Sequence, residues 1–349
     1  MIDPVDTSTA RAQSAATRVV MYGIGAMGSL IVRMLVEKGA EVVGAVARSE
    51  AKIGRDIGQV AGLRHELGVT VDSDIDDVLA RTRPDVVVMT IASYMEEMEK
   101  PTLRCLEAGA NVLSLSEELL YSRNTSPEAT ARIDAAAKRH GVSFMCSGQQ
   151  DGFWVSLVAV LMGTAHRVDK VAGVVTWNVD DFGAELAHDQ QVGVTVEQFE
   201  DWARNAQRPP TFGRTALELL ADVAGLHPTA ATTVSRPEVA RADMHCAALQ
   251  RPIPKGRVTG FTDVDTVRTR EGVDLVLENT GKVYLPNESD VNEWRISGDP
   301  DLNLRNDNVP THVTTCATLV NRIPQVIAAR PGYLTVGDLP QLSYRHRLH

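Results

Sequence analysis

The stretch Arg18-Val-Val-Met-Tyr-Gly-Ile-Gly-Ala-Met-Gly28 decides the fold. Arg18–Tyr22 is a short apolar run that suits a buried parallel strand, and it leads directly into Gly23-x-Gly25-x-x-Gly28. Beyond the turn, Leu30, Ile31, Met34 and Leu35 recur on one helical face until Gly39, a C-cap, ends the pattern. Glu41–Ala47 reads as the next strand. Strand, glycine turn, helix and strand within about thirty residues is the context that gives this glycine spacing a physical meaning. Gly23 permits a tight turn, Gly25 lets backbone approach a pyrophosphate, and Gly28 lets the helix pack on the strand. Ala26 and Met27 open the helix, whose free N–H groups and positive dipole end attract phosphate. Gly23, Gly25, Ala26, Met27 and Gly28 are therefore expected to hold a nicotinamide dinucleotide.

The alternation continues outward. Asp85–Thr90 reads as a strand, followed by a helix with Pro101 in its first turn and Gly109 past its end. Asn111–Ser116 is the next strand; Ser126-Pro127-Glu128 starts a helix that Gly141 stops, and Ser143–Ser147 is a further strand. Strands alternating with helices predict an α/β fold: a doubly wound parallel sheet of the Rossmann kind over 18–149. The pattern changes at Ser147-Gly148-Gln149-Gln150-Asp151-Gly152. Asp151 reads as the cap of a helix carrying Phe153, Trp154, Leu157, Val158 and Leu161. Strand-like runs follow at Lys170–Val179, Arg257–Arg268 and Val273–Leu285, the last two joined by a turn at 270–272. Helical patterns at Val196–Ala206 and Ala216–Ala224 interrupt them. An α+β domain with a mostly antiparallel sheet is expected over 150–308, then a helix at Thr311–Ala328 within a C-terminal segment, 309–349. Residues 1–17 are polar and read as a disordered arm.

Composition excludes several classes. The net charge of -10 argues against a nucleic-acid partner. The longest apolar stretch, Phe153–Met162, is too short to span a bilayer. Cys105, Cys146, Cys246 and Cys316 lie far apart, with no zinc-site spacing, so no metal is expected. Residues 1–17 lack the apolar run of a secretion signal, so a cytoplasmic location is expected.

At the end of the second strand, an acid would bind the ribose 2′-hydroxyl. Arg48 and Ser49 stand there instead, able to meet a 2′-phosphate, so NADP is expected to be preferred and NAD tolerated. Thr90 and Ala92, at and beyond the end of their strand, are further candidates for cofactor contact. After the Asn111–Ser116 strand comes the pair Glu117-Glu118, where ligands of such sheets sit. Adjacent, buried carboxylates raise each other's pKa towards the range useful for proton transfer. Alternation places only one towards a substrate; Glu117, the first to emerge, is favoured. A carboxylate stabilises an iminium cation, whereas alcohol oxidation favours Lys or His, so carbon–nitrogen chemistry is expected.

The glycine turn, Asn111–Leu119, Ser147–Trp154 and the run Leu319-Val-Asn-Arg-Ile-Pro-Gln-Val-Ile-Ala-Ala-Arg-Pro-Gly332 together resemble a known group. It comprises the 2,4-diaminopentanoate dehydrogenases and native amine dehydrogenases, of the dihydrodipicolinate-reductase-like superfamily. The resemblance runs from Arg18 to Leu339. It implies a homodimer, a last helix packing back on the cofactor domain, and reductive amination of carbonyls with ammonia and its reverse. It also implies that Glu117 is the catalytic acid/base, that Trp154 walls the substrate pocket, and that Asn321 contacts the nicotinamide. Diaminopentanoate enzymes tend to carry Asn-Pro-Gly-Phe where this chain has Gln150-Asp151-Gly152-Phe153. Phe153, Trp154, Trp177 and Phe182, if convergent, make a narrow apolar pocket for a small aliphatic ketone or aldehyde. Glu118, Asn178 and His312 are polar candidates at its edge. The alternatives are diaminopentanoate oxidation, another imine reduction, or a dinucleotide sensor without catalysis.

Overall fold

The computed structural model describes residues 16–205 and 208–348. Residues 1–15 of the expected arm lie outside the described residues. Thr17, assigned to that arm, instead belongs to the fold: it is buried and its hydroxyl donates to Leu348 O at 2.6 Å.

The first half builds β1 (Arg18–Tyr22), α1 (Ala26–Glu37), β2 (Glu41–Val46), α2 (Ile57–Val60), β3 (Val71–Asp72), α3 (Ile75–Thr82), β4 (Val86–Met89), α4 (Met95–Glu107), β5 (Asn111–Ser114), α5 (Pro127–His140) and β6 (Ser143–Cys146). A π-helix, Gln150–Ser156, runs into α6 (Leu157–Met162). Then come β7 (Arg167–Asn178), α7 (Ala184–Asp189), α8 (Val196–Ala203), α9 (Phe212–Val223), β8 (Pro228–Val239), β9 (Met244–Cys246), β10 (Arg251–Ile253), β11 (Val258–Thr269), β12 (Asp274–Lys282), β13 (Val291–Asp299) and β14 (Leu302–Asp307). The chain closes with α10 (Thr311–Ile327) and β15 (Gly332–Leu334).

Both expected sheets are present. The first is parallel throughout, in the order β15-β6-β5-β4-β1-β2-β3. Val19–Met21, Val86–Met89 and Val112–Ser114 are completely buried, as a sheet covered on both faces requires. The order reverses between β1 and β4, the switch point where such sheets bind ligands. The second sheet runs β14-β13-β7-β12-β11-β8, antiparallel except for β7 beside β12. The C-terminal segment returns to the first sheet: α10 packs on α1, β5 and β6, and β15 pairs with β6. Among the described residues no helix is long and apolar enough to cross a membrane.

Three local readings change. Pro101 lies at the seventh position of α4, not in its first turn, because the helix starts at Met95 behind Tyr94, which makes no side-chain cap. Ser126 precedes α5 without capping it; its hydroxyl donates to Glu118 at 2.7 Å. Asp151 caps nothing. It is fully buried in the π-helix and forms a bidentate pair with Arg322 of α10, Nε to Oδ2 at 2.8 Å and Nη2 to Oδ1 at 2.7 Å. Ser147 and Ser156 donate to the same carboxylate, and Arg322 also reaches Pro340 O. This network ties the inter-sheet connection to the last helix.

Candidate active site

The glycine turn shapes one end of the site. Gly23 has φ +102, and a Cβ there would lie 2.6 Å from Thr90 O. A Cβ on Gly28 would lie 2.3 Å from Gly23 O, so α1 can cross β1 this closely only without a side chain. Gly25 differs: a Cβ there meets nothing within 4 Å. Gly25 is also the N-cap of α1 and makes no side-chain cap, leaving the first N–H groups of the helix facing open space. That cradle fits a pyrophosphate. Thr90 braces the turn by donating to Gly23 O at 2.9 Å, and Lys52 donates to Ile24 O at 2.7 Å. Lys52 had no sequence signal, because the loop that carries it shows no periodicity.

A groove continues from the turn in both directions. Towards β2 it holds about 260 Å³ and is lined by Tyr22, Arg48, Ile91, Ala92, Glu97, Lys100, Pro101 and Arg104. Arg48 lines this groove together with two cations of α4, Lys100 and Arg104. Ser49 is exposed and is not part of this lining. Arg48 stands 3.8 Å from Glu185 of α7, both well exposed.

Towards β5 the groove opens into a cleft of about 300 Å³ lined by Met27, Thr90, Ala92, Tyr94, Glu117, Asp189 and Thr315, among others. Glu117 sits at its inner end. β5 stops at Ser114, whose hydroxyl meets that of Ser116 at 2.8 Å; Ser116 donates to Ala92 O at 2.7 Å. The chain then enters a 3-10 turn, Glu118–Leu120, with Glu117 already in helical conformation. The two glutamates diverge because of this turn, not through strand alternation. Glu117 faces the cleft, where burial pushes its carboxyl up to about 7; the Ser93 hydroxyl opposes that rise and Asp189 adds to it.

Glu118 is a correction. Its oxygens accept from Met95 N at 2.7 Å, Thr125 Oγ1 at 3.0 Å and Ser126 Oγ at 2.7 Å. It fastens the start of α4 and the loop before α5, and is not a substrate group.

Beyond Glu117 a pocket of about 50 Å³ opens, sharing Leu115, Glu117, Phe182, Leu186 and Thr315 with the cleft. Trp154, Trp177 and Phe182 converge on it, joined by Phe212 of α9. Both indoles are fixed by their N–H groups: Trp154 donates to Asn292 at 3.0 Å and Trp177 to Asn279 at 2.9 Å. Phe182 packs edge-on to Trp177, centroids 5.2 Å apart.

Four further candidates are placed elsewhere. Phe153 packs into the apolar core one residue away from the pocket wall. Asn178 accepts from Asp180 N at 3.3 Å and caps a short 3-10 turn. His312 points to Asp181, Nδ1 to Oδ2 at 3.3 Å. Asn321 accepts from Arg345 N at 3.0 Å and holds the C-terminal tail; Thr311 and Thr315 are the α10 residues that line the site. Gln149 and Gln150, at the entry of the π-helix, also line the pocket. Sequence reading passed over them because an uncharged amide beside an expected cap carries no pattern.

Comparison with known proteins places the chain among dehydrogenases. Residues 154–344 match the 2,4-diaminopentanoate dehydrogenase C-terminal domain. Residues 17–110 match the dihydrodipicolinate reductase N-terminus. The solved amine dehydrogenase from Mycobacterium smegmatis superposes with a TM-score of 0.93 at 49% identity, covering 96% of this chain and 99% of that one. The 2,4-diaminopentanoate dehydrogenase of Acetoanaerobium sticklandii is 28% identical over 335 residues, 93% of each chain. An amine dehydrogenase of Streptomyces virginiae is 31% identical over 157 residues, 44% of this chain and 43% of that one.

Proposed function

The chain belongs to the 2,4-diaminopentanoate dehydrogenase family, and from that membership we propose that it is an NAD(P)-dependent amine dehydrogenase that reductively aminates small aliphatic ketones or aldehydes with ammonia, and oxidatively deaminates the amines in reverse. One observation carries the reading: a single carboxyl, Glu117, is held near neutrality where the cleft meets the aromatic pocket. A bound nicotinamide dinucleotide supplies a hydride in one direction and accepts it in the other. The turn Gly23–Gly28 and the first N–H groups of α1 would hold its pyrophosphate. Arg48, with Lys100 and Arg104, would meet a 2′-phosphate, which favours NADP while tolerating NAD.

Glu117 does the proton work. It takes a proton from the incoming nitrogen, returns it to the departing hydroxyl, and as the carboxylate left behind stabilises the iminium cation that results. A carboxyl poised near 7 can both give and accept at neutral pH. Trp154, Trp177, Phe182 and Phe212 limit the pocket and keep water from the reacting carbon. Among the described residues that line it there is no Lys or Arg to hold an amino-acid carboxylate, which favours an aliphatic substrate over a diamino acid.

Self-association is part of this reading. Val174, Glu278, Val264 and Val234 stand in register across the second sheet, and Val174 and Val234 are 45% and 60% exposed, so two exposed valines flank the Glu278–Arg236 ion pair on a face suited to a second copy.

The test is Glu117→Gln, which keeps the shape and removes the titrating group. NADPH binding should stay near normal, while ammonia-dependent NADPH oxidation falls on the order of 10²–10⁴-fold. Normal turnover in this variant would remove Glu117 from the chemistry.

A further inference from the structure

The small pocket holds two polar atoms that the protein leaves unpaired. Gln149 is 6% exposed, and Thr311 4%. The Gln149 side-chain oxygen accepts from the Thr314 hydroxyl, which orients the amide, but its Nε2 has no partner within the chain. The Thr311 hydroxyl has none either, although its backbone N–H is anchored on Asp290 at 2.8 Å. Buried polar groups are nearly always hydrogen-bonded, and each exception calls for a reason. The neighbouring polar groups are already committed: Ser147 donates to Asp151 at 2.7 Å and Gln150 to Phe212 O at 3.3 Å. The two residues that carry these unpaired groups line one aromatic pocket, together with Glu117.

We propose that Gln149 Nε2 and the Thr311 hydroxyl form the oxygen subsite of the enzyme, binding the carbonyl oxygen of the substrate and then the hydroxyl of the carbinolamine. The assignment rests on the amine dehydrogenase reading above. When ammonia adds, its lone pair forms the carbon–nitrogen bond and the carbonyl π pair moves onto oxygen. The Gln149 N–H groups stabilise that developing charge, as preorganised donors do in an apolar site. Glu117 carries a proton from the added nitrogen to the oxygen. A second proton, which the Glu117 carboxylate takes up from ammonium, lets the carbon–oxygen bond break with its pair when it is passed to the hydroxyl, so water departs and the iminium remains. Thr311, which can donate or accept, follows the oxygen from carbonyl to hydroxyl to water. The two residues thus act on the oxygen, and Glu117 on the protons.

This division of labour is testable because the amine contains no oxygen. Gln149→Met and the near-isosteric Thr311→Val are compared with wild type, using cyclohexanone with ammonium and NADPH, and cyclohexylamine with NADP. Gln149→Met should lower kcat/KM for the ketone about 100-fold, as for a lost oxyanion donor, and Thr311→Val about 10-fold, as for one lost neutral hydrogen bond. Single-turnover hydride transfer from the amine should stay within about 3-fold of wild type, since oxygen enters only afterwards. Equal losses in both directions would reduce the two residues to shaping the pocket. An unchanged kcat/KM for the ketone would deny them contact with the oxygen. If Gln149→Met fails to fold, Thr311→Val decides by the same two rates. A wild-type protein without ammonia-dependent ketone reduction overturns the underlying enzymatic reading, and this subsite with it.

Discussion

Replacing Glu117 with Gln should make the folded protein more stable above neutral pH while abolishing its chemistry. The carboxyl ordinarily titrates at 4.5 but is pushed up to about 7 by burial. A folded state that holds this proton so much more tightly than the unfolded chain carries the difference as a pH-dependent term. At 1.36 kcal/mol per tenfold, the full cost of ionising Glu117 is about 3 kcal/mol. The sign follows from which state binds the proton. Between pH 4.5 and 7 the folded state is protonated and the unfolded state is not, so stability falls as pH rises through that window. The penalty is complete above pH 7 and vanishes below 4.5. Glu117 is only partly shielded from the cleft, and solvent screens the charge, so about 1–2 kcal/mol should be recovered by Gln at pH 8. Urea denaturation of wild type and Glu117→Gln at pH 5 and pH 8 measures this. The variant should be the more stable at pH 8, and the gap should shrink to a fraction of itself at pH 5. A variant less stable than wild type at pH 8, or a gap independent of pH, would refute the idea that Glu117 ionises against its surroundings.

Four other changes have defined outcomes. Arg48→Ala should weaken NADPH binding on the order of tenfold and NADH binding little, since the lost pairing is with the 2′-phosphate; equal losses in a fluorescence titration would reject the NADP assignment. Arg322→Met strands the fully buried Asp151 carboxylate and should cost about 3–5 kcal/mol, read as a lowered denaturation midpoint. A loss under 1 kcal/mol, the surface-pair range, would mean the pair is not structurally important. Gly25→Ala should bind cofactor poorly yet melt like wild type, because its new methyl meets no protein atom within 4 Å. Gly28→Ala should lose both binding and about 1–3 kcal/mol of stability, because its methyl collides with Gly23 O. Indistinguishable melting curves for the two alanine variants would contradict this account of the turn.

Much of the fold was legible because its signals are local. Buried parallel strands are continuous apolar runs, and β1, β4 and β5 are of this kind. The mixed sheet was harder. β8 exposes most of its residues and β14 alternates only between partly buried and exposed positions, so neither rises above its polar surroundings. β13 and β15 were passed over as well, and so were α2, β3 and α3 in the segment after Glu50. The aromatic wall at Trp154, Trp177 and Phe182 was anticipated as a set, because large apolar side chains beside a domain junction have few other uses. Its amides were not, because an orphaned donor is defined by what fails to reach it.

The sequence by itself determined the nucleotide turn, the two kinds of sheet and the importance of a glutamate after β5. Each follows from interactions among residues close in the chain: a glycine at positive φ, a helix N-terminus, a run of β-branched residues. Tertiary structure alone decided which glutamate faces the cleft, since a 3-10 turn and three donors to Glu118 from outside that turn set the direction of each. It also decided that α10 turns Thr311 and Thr315 to the site while Asn321 holds the tail. A helix has no preferred rotation about its own axis until something packs against it. For α10 that something is α1, the first sheet and the buried Asp151, which Arg322 meets across 171 residues of chain.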